Sequence, residues 1–89
     1  MIKHLEIILS GKVQGVGFRF SSYEKFVELG LTGTAANTTG GTVTVKVSGE
    51  EEALKQFLRW AKQGPMGAKV DTMDYKVVQP DTEEKDVNA

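Results

Sequence analysis

The sequence has no cysteine. That excludes a disulfide framework and a thiolate metal site, and it leaves a reducing compartment open to the chain. Nor is there an apolar run approaching the roughly 18 to 20 residues needed to span a bilayer. The opening, Met1-Ile2-Lys3-His4-Leu5-Glu6, lacks the long apolar stretch of a secretory signal. A soluble, cytoplasmic protein is therefore expected. Histidine occurs once, at His4. Ser21 and Ser22 have no histidine base beside them and read as helix surface, not as nucleophiles. Glu50, Glu51 and Glu52 read as the start of a helix, where carboxylates are favoured, and not as a metal cluster. Asn37-Thr38-Thr39 fits the N-glycosylation pattern, but no secretory segment accompanies it.

What is present is one small domain's worth of chain, 89 residues with a net charge of −1. The charge is uneven. Asp81, Glu83, Glu84 and Asp86 against Lys85 give the last ten residues a net −3, which leaves +2 for the rest. A mildly positive body suits a small anion and is too weakly basic to advertise nucleic-acid binding. Neither repeats nor linkers interrupt the sequence, so a single domain over 1–89 is expected, with 80–89 as an acidic, flexible tail.

Hydrophobic periodicity divides the chain into six elements. Ile2–Ser10 reads as a strand, with Leu5, Ile7 and Leu9 on one face and His4, Glu6 and Ser10 on the other; Ile8 breaks the polar set. Phe18–Leu29 reads as a helix with Tyr23, Phe26 and Val27 at helical spacing and Gly30 as its stop. Leu31–Asn37 and Thr42–Ser48 are the next strands, joined at a Gly40-Gly41 hairpin signal. Ser48-Gly49-Glu50-Glu51 fits a capping box opening a second helix, Glu50–Gln63, whose Leu54, Phe57, Leu58 and Ala61 face inward before Gly64-Pro65 ends it. In the last strand, Lys69–Val78, the apolar phase shifts between Val70 and Met73, which predicts a bulge. The order βαββαβ is the ferredoxin-like α+β sandwich, two helices on one face of an antiparallel sheet. Trp60 and the helix phenylalanines are core or rim packing.

The chemistry is concentrated in Gly11-Lys12-Val13-Gln14-Gly15-Val16-Gly17-Phe18-Arg19. Gly15 and Gly17 let backbone N–H groups curl inward where a side chain would clash. Arg19 follows at the point where the helix exposes unpaired N–H groups, which makes a small tetrahedral anion the first ligand to consider. The stretch lacks the Ser or Thr and the spacing of a nucleotide P-loop. In a right-handed βαβ crossover the first and second strands run in the same direction. Their C-terminal ends, the glycine loop, the helix N-terminus and Asn37 then meet at one edge, with His4 at the other.

These residues resemble the acylphosphatase family: Gly11-x-Val13-Gln14-Gly15-Val16-x-Phe18-Arg19, then Gly30-Leu31-x-Gly33, Asn37, Gly41-x-Val43, Gly49 and Gly64-Pro65-x-x-Ala68-x-Val70. The resemblance runs from Ile2 to about Val78. It implies hydrolysis of acyl phosphates to a carboxylate and inorganic phosphate by a monomer, with no cofactor and no metal. It implies that Gln14, Gly15, Val16, Gly17, Phe18 and Arg19 cradle the phosphoryl group, that Arg19 clamps it, and that Asn37 positions the attacking water. The chain departs from the family at Phe26, at Thr34-Ala35-Ala36 and at Gly40, and its Asp86–Ala89 end resembles only faintly the family's short final strand. Two other readings stand beside this one. The first is an anion-binding module of the same fold that turns nothing over. The second is an RNA binder, which would need aromatics on the central strands; Thr42–Val47 and the first strand have none.

Overall fold

The structure, a computed structural model, describes residues 1–79. The acidic tail and the faint final strand lie outside the described residues. Six elements follow one another: β1 (Ile2–Lys12), α1 (Phe18–Leu29), β2 (Thr32–Asn37), β3 (Val43–Glu50), α2 (Glu51–Gln63) and β4 (Lys69–Val77). The strands form one sheet in the order β2-β3-β1-β4, every neighbouring pair antiparallel. This is the expected ferredoxin-like plan.

Alternation decides which face is buried. Leu5, Ile7 and Leu9 of β1 pair with Val47, Val45 and Val43 of β3, and all six are buried on the face that carries the helices. α1 and α2 lie side by side there: Phe26 meets Phe57 with ring centroids 5.3 Å apart, and Phe18 meets Trp60 at 5.5 Å. At α2, Leu54, Phe57 and Ala61 point inward as the spacing requires, while Leu58 is half-buried.

The expected bulge is present. Ser10 pairs with Thr72 but Gly11 with Val70, so Asp71 is the extra residue. Gly11 answers a close approach here: a β-carbon would fall within 2.3 Å of the Lys69 carbonyl oxygen. This pairing also carries β1 two residues past Ser10, to Lys12.

Three local readings need correction. Ser48 does not cap α2. It pairs with His4 and Thr32 in the sheet, β3 continues to Glu50, and Glu50 is the extended N-cap without a side-chain cap bond. The sheet outbids the capping box because Gly49 is needed as a strand residue: Leu31 rests where its side chain would be. Glu51 and Glu52 still occupy the first turn, where they complement the helix dipole. Second, α1 is rotated from its expected face. Phe18, Ser22 and Phe26 are its buried residues, whereas Val27 is 83% exposed and Tyr23 partly so. Third, Ser22 is therefore not surface but fully buried. The cause is Phe18, which is buried against Trp60 at 5.5 Å and packs where a β-carbon on Gly64 would sit, so it fixes the rotation of the helix that it begins.

Candidate functional site

The loop between β1 and α1 is set by two left-handed glycines. Gly15 has φ 75° and Gly17 φ 77°, while among the described residues none other than glycine has positive φ. Such alternation turns successive N–H groups toward a common centre, the geometry of an anion-binding nest. A β-carbon at either glycine would meet nothing within 4 Å. Glycine is thus required at both positions by backbone conformation, not by crowding, and the space above them is open.

Gly17 is also the N-cap of α1, and it offers no side chain to the free N–H groups of the first turn; no acidic residue lies in that turn either. The helix begins with its donors unclaimed and Arg19 exposed beside them. A cation at this end opposes the helix dipole, and a bound anion would offset that modest cost. Val13 and Phe18 bury their side chains at the two ends of the loop, so the exposed backbone between them hangs from two apolar anchors. The ring of Phe18 is therefore withdrawn into the core and only its backbone is left at the loop.

Asn37 is the last residue of β2, exposed, and shares the helix-side face with buried Ala35. It pairs with Val43, which pairs with Leu9, so Asn37 lies in the last row that β1, β3 and β2 share, at the end of the sheet from which β1 runs on to the loop. The Tyr23 hydroxyl accepts a hydrogen bond from the Ala35 N–H at 3.1 Å. α1 and β2 run in opposite directions, so four residues back along the helix, about 6 Å, match two forward along the strand, about 6.6 Å. Arg19 and Asn37 come to the same level, at the same end of the sandwich.

Gln14 joins the two halves. Its side-chain amide donates to the carbonyl oxygens of Thr38 and Thr42, each at 2.9 Å. Those two residues close the turn that follows Asn37: the Thr38 N–H donates to Thr42 O, the Gly41 N–H donates to Thr38 O, and the two threonine hydroxyls bond each other. The glycine loop is thereby latched to the turn that follows Asn37. The side chain of Gln14 is committed to that latch. Sequence reading missed Thr38, Thr42 and the hydroxyl of Tyr23, because nothing in their spacing announces a partner more than ten residues away.

His4 sits half-buried in the row Thr32–Ser48–His4, five residues down β1 from Leu9, about 17 Å away. A cleft of about 430 Å³ lies at that end, on the sheet face opposite the helices, between His4, Glu6, Lys46, Ser48 and Val78. It is remote from the glycine loop. Among the described residues no group of three His, Cys, Asp or Glu side chains comes together to hold a metal ion. No described helix is long and apolar enough to cross a membrane.

The pattern of the acylphosphatase family matches residues 5–88. The chain belongs to the acylphosphatase family. An acylphosphatase of Caldanaerobacter subterraneus is 37% identical over 86 residues, covering 97% of this chain and 96% of its own. The structure of an acylphosphatase from Coxiella burnetii superposes with a TM-score of 0.85 at 33% identity, covering 88% of this chain and 82% of that one. Full-length HypF, in a phosphate- and nucleotide-bound form, contains a similar domain: TM-score 0.84 and 29% identity over 92% of this chain but only 11% of that one. The acylphosphatase-type hydrolase expected from the sequence is borne out by these relatives, and so is its fold.

Proposed function

We propose that the chain hydrolyses the carboxyl-phosphate bond of acyl phosphates from the concavity between the glycine loop and Asn37. The observation that carries this is the uncapped start of α1, entered through two left-handed glycines and flanked by Arg19.

The reaction suits so small an inventory. The leaving group is a carboxylate whose conjugate acid has a pKa of about 4 to 5, near those of Asp and Glu. It departs without a proton, so no general acid is required. What remains is to hold three phosphoryl oxygens, stabilise their charge and align water with the bond to be broken. The N–H groups of Gln14 through Arg19 surround the phosphoryl group, and the guanidinium of Arg19 donates two parallel hydrogen bonds to its oxygens. The amide of Asn37 orients a water molecule but is too weak a base to deprotonate it. The water oxygen bonds to phosphorus as the bond to the acyl oxygen breaks. The water's proton passes to a phosphoryl oxygen, and the products are a carboxylate and inorganic phosphate. No step needs a metal or an organic cofactor. The working unit is a cytoplasmic monomer acting on a small molecule, with no nucleic-acid or membrane partner. The open face of the central strands carries His4, Glu6, Ile8, Thr44, Lys46 and Ser48 and offers no aromatic for a base to stack on.

A second reading is an anion-binding module without turnover; a similar domain lies within full-length HypF, solved in a phosphate- and nucleotide-bound form. Phosphate release from benzoyl phosphate, measured with and without a chelator, separates the two. Turnover unaffected by chelation and inhibited competitively by inorganic phosphate supports hydrolysis. Phosphate binding without turnover supports the module, and a rate that vanishes with chelator and returns with a divalent ion overturns the metal-free mechanism.

A further inference from the structure

We infer that Phe20 is the contact for the acyl group of the substrate, and that it biases the enzyme toward acyl phosphates with bulky apolar or aromatic acyl groups. This rests on the hydrolytic reading above.

Phe20 follows Arg19 in the first turn of α1 and is 69% exposed, a large aromatic left in solvent at the mouth of the cradle. At 100° per residue it lies about 160° around the helix from buried Ser22, on the side turned away from the sheet. Side chains on a helix lean toward its N-terminus. The ring is therefore carried back over the first turn, toward the N–H groups that would hold the phosphoryl oxygens. In-line displacement adds a direction. Water and leaving oxygen must lie on opposite sides of phosphorus, and Asn37, which orients the water, belongs to the sheet layer. The acyl group must then leave on the side away from the sheet, where Phe20 stands. An apolar acyl group laid on this ring would be shielded on one face, whereas an acetyl group is too short to reach it.

Val27 provides a control, because it is 83% exposed on the same side of α1 but seven residues, about 10 Å, farther from the cradle. The test is steady-state hydrolysis of benzoyl phosphate and acetyl phosphate by the parent chain, Phe20→Ala, Phe20→Trp and Val27→Ala, with inhibition by inorganic phosphate measured for each. Phe20→Ala should raise KM for benzoyl phosphate about five- to tenfold, the loss expected for part of one apolar ring contact. Its acetyl phosphate kinetics and phosphate inhibition should stay those of the parent. Phe20→Trp should retain the preference, and Val27→Ala should behave as the parent throughout. Equal changes for both substrates in Phe20→Ala, or no change for either, would overturn the inference while leaving the hydrolytic reading intact. A parent chain that turns over neither substrate would remove both.

Discussion

At the scale of single residues, the proposed mechanism gives Arg19 and Asn37 different parts of the work. In it Arg19 contacts the anion in the ground state as well as the transition state. Arg19→Lys should therefore lower kcat/KM by about 100-fold or more while leaving the fold intact, because position 19 is exposed at a helix start. Near-parent turnover in the folded lysine variant would remove the guanidinium fork from the mechanism. In the proposed mechanism Asn37 directs water and does not hold phosphate. Asn37→Ala should cut kcat by about 100-fold or more with little change in the inhibition constant of inorganic phosphate, whereas Arg19→Ala should damage both. Equal weakening of phosphate binding in the two alanine variants would show this division to be wrong. The placement of both residues at one end of the fold was legible in the sequence, Arg19 from its place at a glycine-rich helix start and Asn37 from the strand direction that puts it opposite. The distance between them was not legible, since it depends on the Gln14 latch and on the Tyr23 hydroxyl against β2.

At the scale of elements, α1 is the informative case. Its buried Ser22 hydroxyl has no hydrogen-bond partner, which costs stability while contributing nothing to the sheet contact. Ser22→Ala should stabilise the protein by about 1 kcal/mol, seen as a Tm rise of about 4 to 8 °C. A fall in Tm would mean that the hydroxyl holds something after all. The latch makes the opposite prediction. Gln14→Leu should lower stability by about 1 to 2 kcal/mol and reduce kcat more than KM, because the loop and Asn37 lose their common reference. A variant with unchanged kcat would detach the latch from catalysis. Element positions were legible because apolar periods of two and of 3.6 residues differ plainly along this chain. The rotation of α1 was not. Phenylalanine, tyrosine and valine occur nearly all round that helix, so its own pattern does not choose a face; Phe18 wedged between Trp60 and Gly64 chooses it. The capping box at Ser48 misled for a related reason. Local capping chemistry is worth about 1 kcal/mol, and it gave way to strand pairing on both sides of that residue.

At the scale of the whole molecule, the topology accounts for the site. β1 and β2 each run antiparallel to β3 and so point the same way, which delivers the glycine loop and Asn37 to one edge while His4 stays at the other. The sheet is a ruler: the row Asn37–Val43–Leu9 fixes the level of Asn37 relative to the first strand. In the proposed mechanism the molecule keeps phosphorus still and sends water to it. The most direct test follows the oxygen. Hydrolysis of benzoyl phosphate by the enzyme in ¹⁸O-labelled water, with both products analysed by mass, should place the label in inorganic phosphate and none in benzoate. Label in the benzoate would mean attack at the carbonyl carbon and would contradict the account.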